Sequence, residues 1–464
     1  MAALIAGSIC FGSVQAQNAA ETARQQVSDE PPPATYAPPP VLTSNFLQDP
    51  NTQQPIAVNS ELAPLQQPCR DCECCPHCHC YSCECPLQPA PCVPCPHVTT
   101  LLPFYNVAVF GAVQGNMLFN TARPIGPGTP FFLAPGPVAG LAQNTVDLHA
   151  RSSLLGAAIS GPTMGSFQAG GLVAFIFYDE SIVLDRYGFI PLQIYGDLKN
   201  EDWRFAAGLQ FNVFNPNLPT MLTFSSLIGS GNTGNLFNGQ FRIERFLNPT
   251  EDTQWTIQAA LSEPISTTVS NQLALNEDNG WPNVEGRIVY GVGTPEQVGT
   301  TPRRPLEIGV SGVVGQVRTT QLAMFQVVAN VWGVGSDLRW KINDRCGIQG
   351  EFYAGQGLGN YGGSILQTTN TATFESIRSA GAWGEFWYYL NPCVHTHLGY
   401  GIDDPLDRDT DGPLRNTTFF ANILWDVNKS FRLGFELTRR ETAYRAPLQD
   451  NEGWGFHTQA QWSF

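Results

Sequence analysis

Charge is scarce in this chain of 464 residues. Only 14% of them are Asp, Glu, Lys or Arg, where a soluble globular chain usually carries about a quarter. Lysine is nearly absent, with Lys199, Lys341 and Lys429 the only three. The net charge is -15, and nothing resembles a basic stripe, which excludes a nucleic-acid partner. No apolar run reaches the ~18–20 residues of a transmembrane helix. Low charge without such a run leaves a β-barrel as the way to meet a membrane. Catalytic signatures are missing too: there is no HExxH, no Walker loop and no G-x-S-x-G. His395 and His397 have no paired nucleophile, so the chain reads as a non-enzyme.

What is present is strand periodicity. In the last nine residues, Phe456, Thr458, Ala460, Trp462 and Phe464 alternate with His457, Gln459, Gln461 and Ser463. That is a strand with one apolar and one polar face, and it ends on an aromatic residue. The stretches Trp203–Val213, Val394–Asp403 and Thr417–Trp425 repeat the alternation. They place Arg204, Gln210, Asn212, His395, His397, Thr418 and Asn422 on the polar side. About sixteen such segments are expected, most about ten residues long, as in an all-β transmembrane antiparallel barrel. Connections near 161–165, 199–202, 247–252, 343–345, 391–393 and 427–430 are short and fall on one rim. Those at 215–237, 262–282 and 356–375 are long and fall on the other, while 293–305 is long for its rim. Trp203, Trp255, Trp340, Trp387 and Trp425 lie near the short turns, where an interfacial girdle is expected.

The N-terminal part differs. Residues 1–16 read as a signal peptide whose basic n-region is missing, with Val14-Gln15-Ala16 as the cleavage site. Residues 17–68 are rich in Pro and Gln and read as a disordered, flexible periplasmic linker. Residues 69–97 hold ten cysteines: Cys69, Cys72, Cys74, Cys75, Cys78, Cys80, Cys83, Cys85, Cys92 and Cys95, interleaved with His77, His79 and His97. Their C-x-x-C spacings suit zinc or another soft metal, while an oxidising compartment favours disulfides. Both readings stand. The barrel is expected over 104–464.

Three stretches in the barrel carry a family resemblance. They are Gly239-Gln240-Phe241-Arg242-Ile243-Glu244-Arg245-Phe246-Leu247-Asn248-Pro249, Leu398-Gly399-Tyr400-Gly401-Ile402-Asp403-Asp404-Pro405, and Arg415–Asn422 continuing to Tyr444. Together they resemble the DcaP-like family of trimeric outer-membrane porins. The resemblance implies a sixteen-stranded barrel, a homotrimer in outer-membrane lipid, and uptake of small, often anionic, organic solutes. Family members often carry a helical coiled-coil segment at the N-terminus, where this chain has its Pro- and Cys-rich arm.

Strand phase turns Arg151, Arg204, Arg242, Arg287 and Arg339 inward, together with Asp147, Glu244, Glu285, Asp337 and Glu351. Arginine suits carboxylate solutes, because its planar fork donates bidentately. Pairs such as Arg242 with Glu244 and Arg287 with Glu285 are expected to neutralise each other. The neutral loop 215–237 is the expected constriction. Asp407-x-Asp409-x-Asp411-Gly412 matches the start of a calcium loop, but its twelfth position is Thr418, so a solvated acidic loop is the preferred reading. Gly357-x-Gly359-x-x-Gly362 matches a dinucleotide fingerprint only in form, because no helix pattern follows. Cys346 and Cys393 border short turns of neighbouring strands, and a disulfide between them is expected. The reading is a porin for small hydrophilic, anionic solutes. The alternative is a structural envelope protein that uses the barrel as an anchor and its arm for a cell-wall partner, crosslinks or metal.

Overall fold

A computed structural model describes residues 105–137, 142–179, 186–234, 236–250, 252–264, 279–298, 301–321 and 325–464. The expected signal peptide, linker and Cys/His module lie outside the described residues. The strands are β1 (Asn106–Asn120), β2 (in two segments, Thr145–His149 and Leu154–Met164), β3 (Phe167–Tyr178), β4 (Tyr187–Lys199), β5 (Trp203–Phe211), β6 (Phe237–Thr250), β7 (Thr253–Ser262) and β8 (Asn283–Val292). They continue as β9 (Leu306–Gln321), β10 (Phe325–Lys341), β11 (Cys346–Gln356), β12 (Arg378–Asn391), β13 (Val394–Pro405), β14 (Pro413–Asp426), β15 (Phe431–Tyr444) and β16 (Asn451–Ser463). Each pairs antiparallel with its sequence neighbours.

The sheet closes on itself. One edge of β1 pairs with β16 from Ala112↔Ser463 to Asn120↔Gly455, and the other with both segments of β2. The terminal Phe464 extends the seam by exchanging both backbone hydrogen bonds with Gly111, each 3.0 Å. Closure leaves no unpaired sheet edge, as a lipid-embedded sheet requires.

The period-two pattern sorts the two faces. Phe205, Phe241, Ile257, Val310, Val334, Phe386, Leu398, Phe435 and Phe456 project outward and are exposed. Arg204, Arg242, Glu285, Arg287, Asp337, His395 and His397 project inward and are buried. Of the expected girdle, Trp255, Trp340 and Trp425 are exposed on the outer face and Trp203 is half-buried. Trp387 is a correction. It shares the phase of Glu385 and is buried inside, with the Arg339 guanidinium 5.3 Å from its ring centre. The alternation in β5 also breaks late. Gly208, at φ 130, bends the strand, and Phe211 and Val213 turn into the interior.

The inner face is not uniformly polar. Phe110, Leu154, Leu172, Ile176, Ile190, Leu192 and Tyr195, from β1 to β4, pack with Phe131, Ile228 and Leu236 of the connecting loops. Burying each of these side chains contributes about 1.5–3 kcal/mol, so this wall is a seat for loops that enter the barrel. The remaining wall carries most of the charged groups.

Candidate functional site: a lumen crossed by two loops

The loop 212–236 leaves β5 and crosses the lumen. Its sequence, Asn215-Pro216-Asn217-Leu218-Pro219-Thr220, favours extended chain, and the prolines have no N–H to satisfy. The N–H groups around them point at wall carboxylates. Glu285 on β8 accepts from Val213 at 2.6 Å and Phe214 at 3.1 Å. Glu351 on β11 accepts from Asn217 at 2.5 Å, and Glu385 on β12 from Thr220 at 2.6 Å. Glu436 on β15 accepts from Leu222 at 2.9 Å. Hydrogen bonds to charged groups contribute ~1.5–3 kcal/mol each. The tip is tied to β14, where Ser230 Oγ lies 2.8 Å from Thr418 Oγ1 and Asn416 Nδ2 donates to the Gly229 carbonyl at 2.7 Å. The loop thus occupies the place expected of a constriction.

A second loop, 357–377, also enters. It carries two short 3-10 turns, Leu358–Tyr361 and Ser364–Leu366. Gly357 and Gly362, at φ 68 and 86, make the first turn, which is their role in place of any nucleotide fingerprint. Ser364 and Ile365 are left-handed as well, a strain that Asp403 on β13 offsets by accepting both of their N–H groups at 3.0 Å. The two loops meet where Gly234 donates to the Tyr361 carbonyl at 2.6 Å and Gly229 to that of Gly362 at 2.9 Å.

Among the expected pore residues, Arg204 is fully buried and bonds Asp197 at 2.6 Å and Glu244 at 3.3 Å. Arg151 pairs with Asp147. Arg242 stands 3.7 Å from Glu244 and donates instead to the Phe211 carbonyl at 2.6 Å and to Gln240 at 2.8 Å. Arg287 does not pair with Glu285. It grips Asp337 with two bonds of 2.6 and 3.0 Å, across the intervening strand β9. Gly309 on β9 opens the way, since a Cβ there would lie 2.2 Å from Asp337. Glu285 is left to the loop. Arg339 leans on Trp387.

His395 and His397 form part of a chain. His397 Nδ1 meets Glu385 at 2.5 Å, its Nε2 meets His395 Nδ1 at 2.7 Å, and His395 Nε2 lies 3.4 Å from Asp426. Three such contacts take three protons and two neutral imidazoles supply two, so the chain closes when the pair carries one positive charge.

The expected Cys346–Cys393 disulfide is absent, and both thiols are free. Cys346 stands opposite Tyr388, and Cys393 lies five residues further on, in the next turn. Strand tilt staggers neighbouring hairpins at the rim, so the two turns are not level. The acids of the calcium-like stretch turn to other partners. Asp409 clamps Arg378 with bonds of 2.6 and 2.8 Å, and the hydrogen bond from Arg378 holds its carboxyl below the usual range. Asp411 turns to Thr371, Asp407 stays exposed, and no metal-holding cluster of acids occurs among the described residues.

Sequence reasoning missed several lumen groups. Asp197, Glu385, Glu436, Arg432 and Arg440 share the inward phase of their strands and were legible by the same rule. Arg303 was not, because 293–305 forms a small hairpin (Glu296–Val298 with Thr301–Arg303) whose Arg303 reaches Asn217 at 3.4 Å.

No family model and no curated protein matches the chain. Solved structures do. The outer-membrane channel DcaP of Acinetobacter baumannii aligns over 78% of this chain and 98% of its own, with a TM-score of 0.58 and 17% identity. The barrel has a DcaP-like porin fold. The anion-selective porin from Comamonas acidovorans aligns over 78% of this chain and 100% of its own, with a TM-score of 0.50 and 11% identity. At these identities the likeness is one of fold.

Proposed function

We propose that the protein is an outer-membrane porin through which small hydrophilic solutes, preferentially anions, diffuse. The observation that carries the reading is the neutral loop 212–236 held across a charged lumen by wall carboxylates. The preference is read from which groups keep hydrogen-bonding capacity for a solute. Glu285, Glu351 and Glu385 accept loop N–H groups, and Asp337 holds Arg287. Arg242, in a loose 3.7 Å pair with Glu244, keeps its Nε and Nη1 buried without a hydrogen-bond acceptor. In planar bilayers the purified protein is expected to conduct, with a reversal potential across a salt gradient on the anion side. Arg242→Ala should move that potential toward zero. A strong cation preference would defeat the selectivity reading. A barrel that does not conduct would return the protein to the class of envelope anchors.

The assembly that fits this reading is a homotrimer. On the outer face, Ile159, Gly171, Gly196 and Ala207 sit side by side on β2 to β5. With Gly171, Gly196 and Ala207 in a row, this strip suits close approach of a second barrel. Gly196→Phe tests it, because a Cβ at Gly196 meets nothing nearer than the Gly170 carbonyl at 3.7 Å. The variant barrel should fold yet run as a monomer in mild-detergent electrophoresis. An unchanged trimer would place the interface elsewhere. In this orientation the short turns and the arm are periplasmic, and the long loops face outward.

A further inference from the structure

We infer, on the basis of the channel reading, that His395 and His397 hold one exchangeable proton between them and that this proton sets the charge of the lumen beside the constriction. The barrel then prefers anions more strongly in acid than in alkali.

The pair sits where loop 212–236 is gripped. Both histidines project inward from β13 and are buried, 4% and 6% exposed. On one side His397 meets Glu385, whose other oxygen accepts the Thr220 N–H at 2.6 Å. On the other side it stands opposite Asn422, whose Nδ2 donates to the Thr220 carbonyl at 2.6 Å. The wall groups that flank His397 thus hold both backbone polar groups of one loop residue. The loop carries no ionisable side chain, so charge at this level comes from the wall.

The chain runs Glu385, His397, His395, Asp426, with contacts of 2.5, 2.7 and 3.4 Å. Both ends are carboxylates, so His397 Nδ1 and His395 Nε2 must each carry a proton to meet them. The contact between the rings needs a third. Two neutral imidazoles hold two protons, whereas an imidazole and an imidazolium hold three. Removing one proton leaves either two lone pairs face to face or a bare Nε2 toward Asp426. The contact with Asp426 is the longest of the three, and Asp426 keeps its 2.5 Å bond from Arg432, so the proton leaves from His395 Nε2. A fourth proton would set two N–H groups against each other at 2.7 Å. The pair therefore alternates between charges of +1 and 0.

Among the described residues, the charged and titratable groups that face the pair come from four strands. They are Glu385 and Tyr389 on β12, Asp426 on β14, Arg432 on β15, and Arg339 on β10, which lies against Trp387, the register partner of His397. Arg432 and Asp426 offset each other. The protonated pair offsets Glu385, and the neutral pair gives this part of the wall one positive charge less. Imidazole is the side chain whose ordinary titration falls between about pH 5 and pH 8.

Reversal potential across a potassium chloride gradient, recorded over that range in bilayers of neutral lipid, tests the assignment. The chloride-to-potassium permeability ratio should fall about twofold or more from acid to alkali, along a one-proton curve. In His395→Gln/His397→Gln the ratio should stay flat. Asp426→Asn should keep the step and move it about one pH unit or more toward acid, because an amide N–H at that end closes the chain with two protons. His149→Gln, which alters a buried histidine of β2 outside the chain, should leave the step in place. Heat-modifiable electrophoresis shows that each variant has folded. A ratio independent of pH, or a step that persists in the double variant, would overturn the inference and leave the porin reading intact. If the barrel does not conduct, nitrogen NMR of the labelled imidazoles in detergent decides the proton count alone. One proton gained by the two rings together supports the shared proton, and two or none overturns it.

Discussion

Replacing Glu285, Glu351, Glu385 and Glu436 together by glutamine is expected to raise single-channel conductance severalfold. Glutamine keeps the volume of each side chain, so a wider path cannot come from deleted atoms. What changes is the hold on loop 212–236. Each carboxylate accepts a backbone N–H, from Val213, Asn217, Thr220 or Leu222, at 2.5–2.9 Å. A neutral amide accepts more weakly, by roughly 1 kcal/mol per bond. Four such losses fall along the extended part of the loop, which leaves the ties of its tip to β14 and to loop 357–377 as the main hold. Single-channel recording and protease accessibility of the loop check the outcome. Unchanged conductance with a protected loop would mean that the apolar seat on β1 to β4 holds it unaided.

Gly111→Val is expected to abolish the folded barrel, whereas Gly115→Val leaves it intact. Both glycines lie on the outer face of β1. At Gly111 a Cβ would sit 2.5 Å from the Phe464 ring and 2.9 Å from the Leu154 carbonyl, at the point where the chain's end closes the seam. At Gly115 nothing lies within 4 Å. The first substitution displaces the terminal residue and opens two strand edges, and the second adds only lipid-facing apolar surface. Heat-modifiable mobility of the refolded variants distinguishes them. A folded Gly111→Val barrel would show that Phe464 is dispensable for closure.

The pair also shows what could be read from residues alone. Period-two alternation located the strands, their inward residues and the closing segment, because one face meets lipid and a slip of one residue would invert every side chain. It placed loop 215–237 correctly, since a long neutral connection among charged walls has one place to go. Pairing across strands was not legible. Arg287 lies two residues from Glu285 in sequence, yet it reaches Asp337 over Gly309. Cys346 and Cys393 border turns of adjacent strands, but stagger separates them. Trp387 sits near a turn and still faces inward, because phase rather than proximity to the interface sets its direction. The loop anchors, Glu385 and Glu436, were visible as inward acids. Their partners are main-chain N–H groups, which no side-chain pattern reveals.

The anchoring of the loop governs how the aperture can vary. Much of the seating of the loop is written in the wall, as a row of glutamates on β8, β11, β12 and β15 that bind its backbone. Side chains add ties of their own, from Asn212 to Glu285, Asn215 to the Phe352 carbonyl and Ser230 to Thr418. Residues of the loop outside these anchors can change without unseating it, so the same housing can take apertures of different lining.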